Sequence, residues 1–144
     1  MNQAPSVFVD TNILVYAHDR GAGDRHRTAQ AVVRELWRDG TGALSTQVLQ
    51  EFYSVVTRKL KVPMERSEAA RLVADYSQWQ VVESTPLLIV SASKLEEEHT
   101  INFWDALIVE AAILSGAETL LSEDLQDGRK FVNLKVHNPF RSGG

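Results

Sequence analysis

Short, β-prone runs with almost no charge alternate with helix-patterned segments along this chain, and that alternation leaves few architectures open. Val7-Phe8-Val9, Gly42–Leu44, Val81-Val82, Thr119–Ser122 and Phe131–Val136 read as strands. Between them, the stretch 25–39 sets Ala29, Val32, Val33, Leu36 and Trp37 at helical spacing and closes on Gly40. Further helices are expected from about Ile13, from a Ser45 or Thr46 cap to about Arg58, and from about Ser67 to Trp79. Thr85-Pro86 offers a capping hydroxyl followed by a first-turn proline, opening a helix to about Glu98, and Trp104–Leu114 forms another ahead of Gly116. Strands separated by helices pair in parallel through crossovers. The expected fold class is therefore α/β, with a mainly parallel sheet covered on both faces.

The length of 144 residues suits one domain over 1–144, since two would each be too small to bury a core. The chain has no cysteine, which removes disulfides, thiolate catalysis and sulfur-ligated metals. A reducing, cytoplasmic setting fits that composition. The N-terminal stretch Met1–Ser6 lacks a signal-peptide pattern, and no apolar run approaches the ~20 residues of a membrane span. The net charge of −4 argues against a general phosphate-backbone binder. Basic residues occur in small groups, at Arg25 and Arg27, Arg34 and Arg38, Arg58, Lys59 and Lys61, and Arg129 and Lys130. Each such group is ordinarily a solvated face.

In parallel α/β sheets, ligands sit beyond the carboxyl ends of the strands where the strand order reverses. Asp10 leaves the first strand there, and Glu123 and Asp124 follow the strand 119–122. Taken singly, each acid has a structural alternative. Asp10 could cap a helix, Glu51 could be a solvated or salt-bridged residue beside the apolar stripe of its helix, and Asp105 could interact with a helix N-terminus. Asp124 could belong to an acidic turn with Glu123 and Asp127, and periodicity leaves open which of the three faces a site. Together they carry more weight. Carboxylates ~4 Å apart repel by roughly 4 kcal/mol per pair at an effective dielectric near 20. A divalent cation relieves that repulsion, and oxygen-only ligands favour Mg2+ or Mn2+. The four histidines, His18, His26, His99 and His137, lack the close pairing of a zinc hydrolase, and no phosphate-cradling glycine loop with a lysine is present.

The stretches Val9-Asp10-Thr11-Asn12-Ile13-Leu14, Gln50-Glu51-Phe52-Tyr53, Phe103-Trp104-Asp105-Ala106-Leu107-Ile108 and Leu121-Ser122-Glu123-Asp124-Leu125 resemble, in order and spacing, the successive motifs of PIN-domain proteins. The likeness is greatest to the VapC toxins of bacterial toxin–antitoxin pairs, and the Asn138-Pro139-Phe140 ending is also similar. The resemblance implies a three-layer α/β/α sandwich and a Mg2+- or Mn2+-dependent endoribonuclease that leaves a 5′ phosphate and a 3′ hydroxyl. It further implies a VapB-like antitoxin partner and a homodimer. On it, Asp10, Glu51, Asp105 and Asp124 match the acidic metal-site positions, while Asn12 and Ser122 match supporting polar positions. Two other readings use the same acids: a phosphoesterase acting on DNA or a phosphomonoester, or a non-catalytic acidic domain that binds a protein partner. A haloacid-dehalogenase-type phosphatase would carry an aspartate where this chain has Asn12.

Overall fold

The computed structural model describes residues 5–141. The first strand, β1 (Val7–Val9), leads into α1 (Thr11–His18), a single 3-10 turn at Arg20–Ala22, and α2 (Asp24–Asp39). Then come β2 (Gly42–Ser45), α3 (Thr46–Arg58), α4 (Arg66–Tyr76), β3 (Gln80–Val82), α5 (Pro86–His99) and α6 (Phe103–Ser115). The chain ends with β4 (Thr119–Leu121), β5 (Lys130–Phe131) and β6 (Leu134–His137). The strand order is β3-β2-β1-β4-β6-β5, parallel throughout except for the β5–β6 pair.

Two successive residues of a strand point to opposite faces, so their joint burial reports cover on both sides. Phe8 and Val9 of β1 are both fully buried, and every residue of β2 is buried. The sheet is therefore flanked by helices, as the α/β reading requires. One group runs α2–α1–α3–α4, each packed on the next, and the other is the α5–α6 pair, whose α6 lies on β2 and β3. Apolar residues surround α6, with Ala106, Leu107, Ile108, Val109, Ala111 and Ala112 all buried, which is the composition of a helix covered on nearly every side. Among the described residues no helix is long and apolar enough to cross a membrane.

Local chemistry sets the helix ends. Ser45 accepts from the Val48 N–H and Thr85 from the Leu88 N–H, while Gly40 and Gly116 close α2 and α6 in the left-handed conformation. Three boundaries differ from expectation. The first helix starts at Thr11 rather than near Ile13, because the Asp10 side chain caps it. The helix α4 ends at Tyr76, and residues 77–79 form a turn whose backbone N–H groups fold back onto Val73, Asp75 and Tyr76. The expected single strand Phe131–Val136 is a hairpin, broken at Val132 and Asn133.

That hairpin holds Val132 at a φ of 56°, with 79% of the side chain exposed. A β-branched residue is strained in the left-handed region and here gains almost no burial in return. Val132→Gly is expected to raise stability by up to about 1 kcal/mol in urea denaturation. A loss of stability on that substitution would show that the turn is not strained.

Candidate metal centre

The chain winds outward from β1 through β2 to β3 and returns to the other side of β1 as β4, so the order reverses between β1 and β4. Their carboxyl ends open there, as they do at ligand sites of doubly wound sheets. A cleft of about 470 Å³ lies at this point, lined by Asp10, Glu51, Asp105 and Asp124 together with Asn12 and others. The four acids come from four separate parts of the sequence: the end of β1, the face of α3, the first turn of α6 and the loop after β4.

Asp10 is only 4% exposed. Its Oδ1 accepts the Thr11 N–H at 2.7 Å and its Oδ2 accepts the Ser122 hydroxyl at 2.8 Å. Ser122, itself fully buried, receives the Asp124 N–H at 3.1 Å, which turns its own proton toward Asp10. Burial raises the Asp10 pKa from 3.8 to about 7; the two hydrogen bonds oppose the rise, and the Asp124 and Asp105 carboxylates add to it. Asp10 thus caps α1 and lines the cleft at once.

Asp105 sits three residues after the Asn102 cap of α6. Its N–H donates to Asn102 Oδ1 and its Oδ2 accepts from Asn102 Nδ2, both at 2.9 Å. Its pKa is raised by burial, then by Asp124, while the Asn102 bond lowers it and Glu51 adds a further rise. Asp124 is also raised, by burial and by Glu123. These couplings are those of carboxylates facing one another across a small space. Glu51 is exposed rather than shielded at the edge of its helix stripe, and it accepts the Thr11 hydroxyl at 2.8 Å. Gln47, one turn earlier on α3, bridges from Glu51 at 3.5 Å to the Trp104 carbonyl at 3.4 Å.

Of the acids after β4, Asp124 alone lines the cleft. Glu123 accepts Tyr16 Oη at 2.8 Å and Arg25 Nε at 2.7 Å. Asp127 accepts the Asn138 N–H at 2.8 Å and lies near His137 and Arg141. Glu110 is half-buried in α6 and stands outside the cleft lining. Sequence reasoning passed over Thr11, Gln47, Tyr16, Lys59 and Trp104 as cleft residues. Gln47, Glu51, Ser54, Val55 and Lys59 share one helical face, a spacing visible in the sequence once Glu51 is fixed in the cleft.

Among the described residues no three acidic or histidine side chains already converge closely enough to hold a metal ion. The donor chemistry nevertheless suits a hard divalent cation. Every acid around the cleft offers oxygen, and Asn12 Oδ1, also at the cleft, is buried with no hydrogen-bond partner.

Residues 7–128 match the family model of the PIN domain, and the chain belongs to the PIN-domain family. No curated protein matches it in sequence. Solved structures similar in fold include a toxin–antitoxin complex from Klebsiella pneumoniae, 19% identical over 95% of this chain and 100% of that one, with a TM-score of 0.70. VapBC2 from Rickettsia felis, bound to a DNA fragment from its promoter, is 23% identical over 92% and 97% of the two chains, with a TM-score of 0.64. VapC20 from Mycobacterium tuberculosis, a toxin that cleaves the sarcin–ricin loop, is 24% identical over 83% and 90%, with a TM-score of 0.61.

The Asp10 environment has a stability consequence. Unfolded, the group ionises near 3.8; folded, near 7. Between these values the folded chain keeps a proton that the unfolded chain has released, so the stability associated with Asp10 is full below the lower value and is lost as pH rises through the upper one. Asp10→Asn removes this pH dependence. Without divalent metal, the variant is expected to match wild type near pH 4 and to exceed it by on the order of a few kcal/mol near pH 8, read from thermal melts in chelator. A constant difference across that range would contradict the burial argument.

Proposed function

We propose that the chain is a divalent-metal-dependent endoribonuclease and the toxin of a VapBC-type pair, folded as one PIN-like domain over 1–144. The observation that supports this most is the lining of a single open cleft by Asp10, Glu51, Asp105 and Asp124 at the reversal point of the sheet. Family membership supports it too, since PIN-domain nucleases generally use divalent metal ions. The fold likeness to a sarcin–ricin loop cleaving toxin and to toxin–antitoxin complexes points the same way.

In this reading Asp10, Asp105 and Asp124 are the principal ligands of Mg2+ or Mn2+. Glu51 holds a second ion or orients the attacking water, steadied by the Thr11 hydroxyl. Asn12 supplies a neutral oxygen and Ser122 fixes the Asp10 carboxylate. A bound divalent cation contributes acidification of a water and neutralisation of charge on the attacked phosphate. Water adds at phosphorus as the bond to the ribose 3′ oxygen breaks, leaving a 5′ phosphate on one product and a 3′ hydroxyl on the other. No covalent enzyme intermediate is required. The acidic cleft repels RNA until its charge is neutralised, so substrate and metal binding are expected to be cooperative. The setting proposed is the cytoplasm, with a VapB-like antitoxin as partner and a homodimer as the working form.

The test is cleavage of RNA with Mg2+, Mn2+ or chelator, with product ends identified chemically. Asp10→Asn and Asp105→Asn are each expected to lower kcat/KM by more than about 100-fold, and chelator to abolish cutting. Expression should arrest growth, and Asp10→Asn should relieve the arrest. Metal-dependent hydrolysis of DNA or a phosphomonoester with none of RNA would replace this reading with the phosphoesterase one. Absence of any divalent-metal shift in melting temperature would favour a non-catalytic domain.

A further inference from the structure

The cleft has two features that the carboxylates leave unexplained. Trp104 is 65% exposed, although tryptophan is ordinarily well covered, and it lines the cleft beside Asp105. Phe103 packs edge-on against its ring at 5.5 Å, and the Trp104 backbone carbonyl accepts from Gln47, tying the start of α6 to α3. The second feature is Lys59, at the other end of the α3 wall, about 18 Å from Gln47 at the helical rise.

Several basic groups elsewhere on the surface are engaged. Arg25 pairs with Glu123, Arg27 with Asp24, and Arg38 with Glu35 and Asp39. Arg129 donates to the His99 carbonyl and lies over Phe131 at 4.8 Å. Lys59 forms no ion pair, and among the described residues it is the one lysine or arginine that lines the cleft. The cleft thus runs from the exposed Trp104 ring of α6, which adjoins Gln47, along the Glu51 face of α3 to Lys59.

Resting on the ribonuclease reading, we infer that Trp104 is a stacking platform for a base flanking the scissile phosphate, and that Lys59 takes a backbone phosphate farther along the same strand. A planar indole presents its face to any unstacked base, while a duplex keeps its bases stacked on one another. Trp104 therefore selects unpaired RNA and sets where along it the phosphate meets the carboxylates. Lys59 adds charge without sequence preference.

The experiment compares wild type, Trp104→Ala, Trp104→Phe and Lys59→Ala. Each is assayed for Mg2+-dependent cleavage of an RNA, and for binding of an end-labelled short oligoadenylate against an abasic strand of equal length. Binding is measured with Ca2+ in place of Mg2+. Trp104→Ala is expected to weaken oligoadenylate binding roughly 5- to 150-fold and to leave abasic binding unchanged, with Trp104→Phe recovering most of the loss. Lys59→Ala should weaken both strands alike and lower the log–log salt slope by about 0.7. Cleavage that Trp104→Ala leaves unchanged, or an equal loss on both strands, overturns the stacking role. Oligoadenylate binding that depends on Trp104 in a protein that cuts no RNA supports the platform and overturns the nuclease reading alone. No RNA binding at all overturns both. Unchanged RNA affinity with altered self-association in Trp104→Ala assigns the ring to a protein contact instead, and overturns the inference.

Discussion

The buried carboxylate of Asp10 is the point on which the arrangement of the molecule turns. It closes β1, caps α1 through the Thr11 N–H, and accepts the Ser122 hydroxyl from the neighbouring strand end. Its own N–H donates to the Leu121 carbonyl, continuing the β1–β4 ladder by one bond. The two strands at the reversal point are thereby tied together beyond their last paired residues. A charge there is expensive, which is why the group holds its proton up to about pH 7. The energetic tension is local: the carboxyl either keeps its proton or needs a counter-charge beside it.

The same economy recurs around the site. Asn102 caps α6 and, through a reciprocal pair of bonds, fixes Asp105 against the cleft. Ser45 caps α3, the helix that carries Glu51. Glu123 is spent on Tyr16 and Arg25, and Phe140 packs edge-on against Tyr16 at 5.2 Å. The C-terminal segment thus buttresses the loop that presents Asp124. Helix caps position the acids because helices begin where parallel strands end.

This explains what was legible in the sequence. Alternating short apolar runs and amphipathic segments sufficed for the α/β class, since a sheet covered on both faces leaves its strands uncharged. Cap chemistry located α5 and the end of α2 closely. The hairpin at Val132 was not legible, because a valine occupies the first turn position, where such a turn favours glycine or asparagine, and Asn133 stands only in the second. The end of α4 at Tyr76 was missed for a tertiary reason: Trp79 turns away to lie against Gly42, where a Cβ would meet its ring at 2.7 Å. Helical periodicity carries no trace of that contact.

The acids show the limit most clearly. Asp10 reads in the sequence as either a cap or a ligand, and in the structure the carboxylate that does the capping also lines the cleft. Glu123, Asp124 and Asp127 could not be ranked by spacing, because a turn sends neighbouring side chains in unrelated directions. What separates them is their partners: Tyr16 and Arg25 are close to each other in sequence but about a hundred residues from Glu123. Long-range partners of this kind neutralise one acid and leave its neighbour free. A cluster of acids in sequence is therefore an upper bound on the charge a site presents, and the fold subtracts from it.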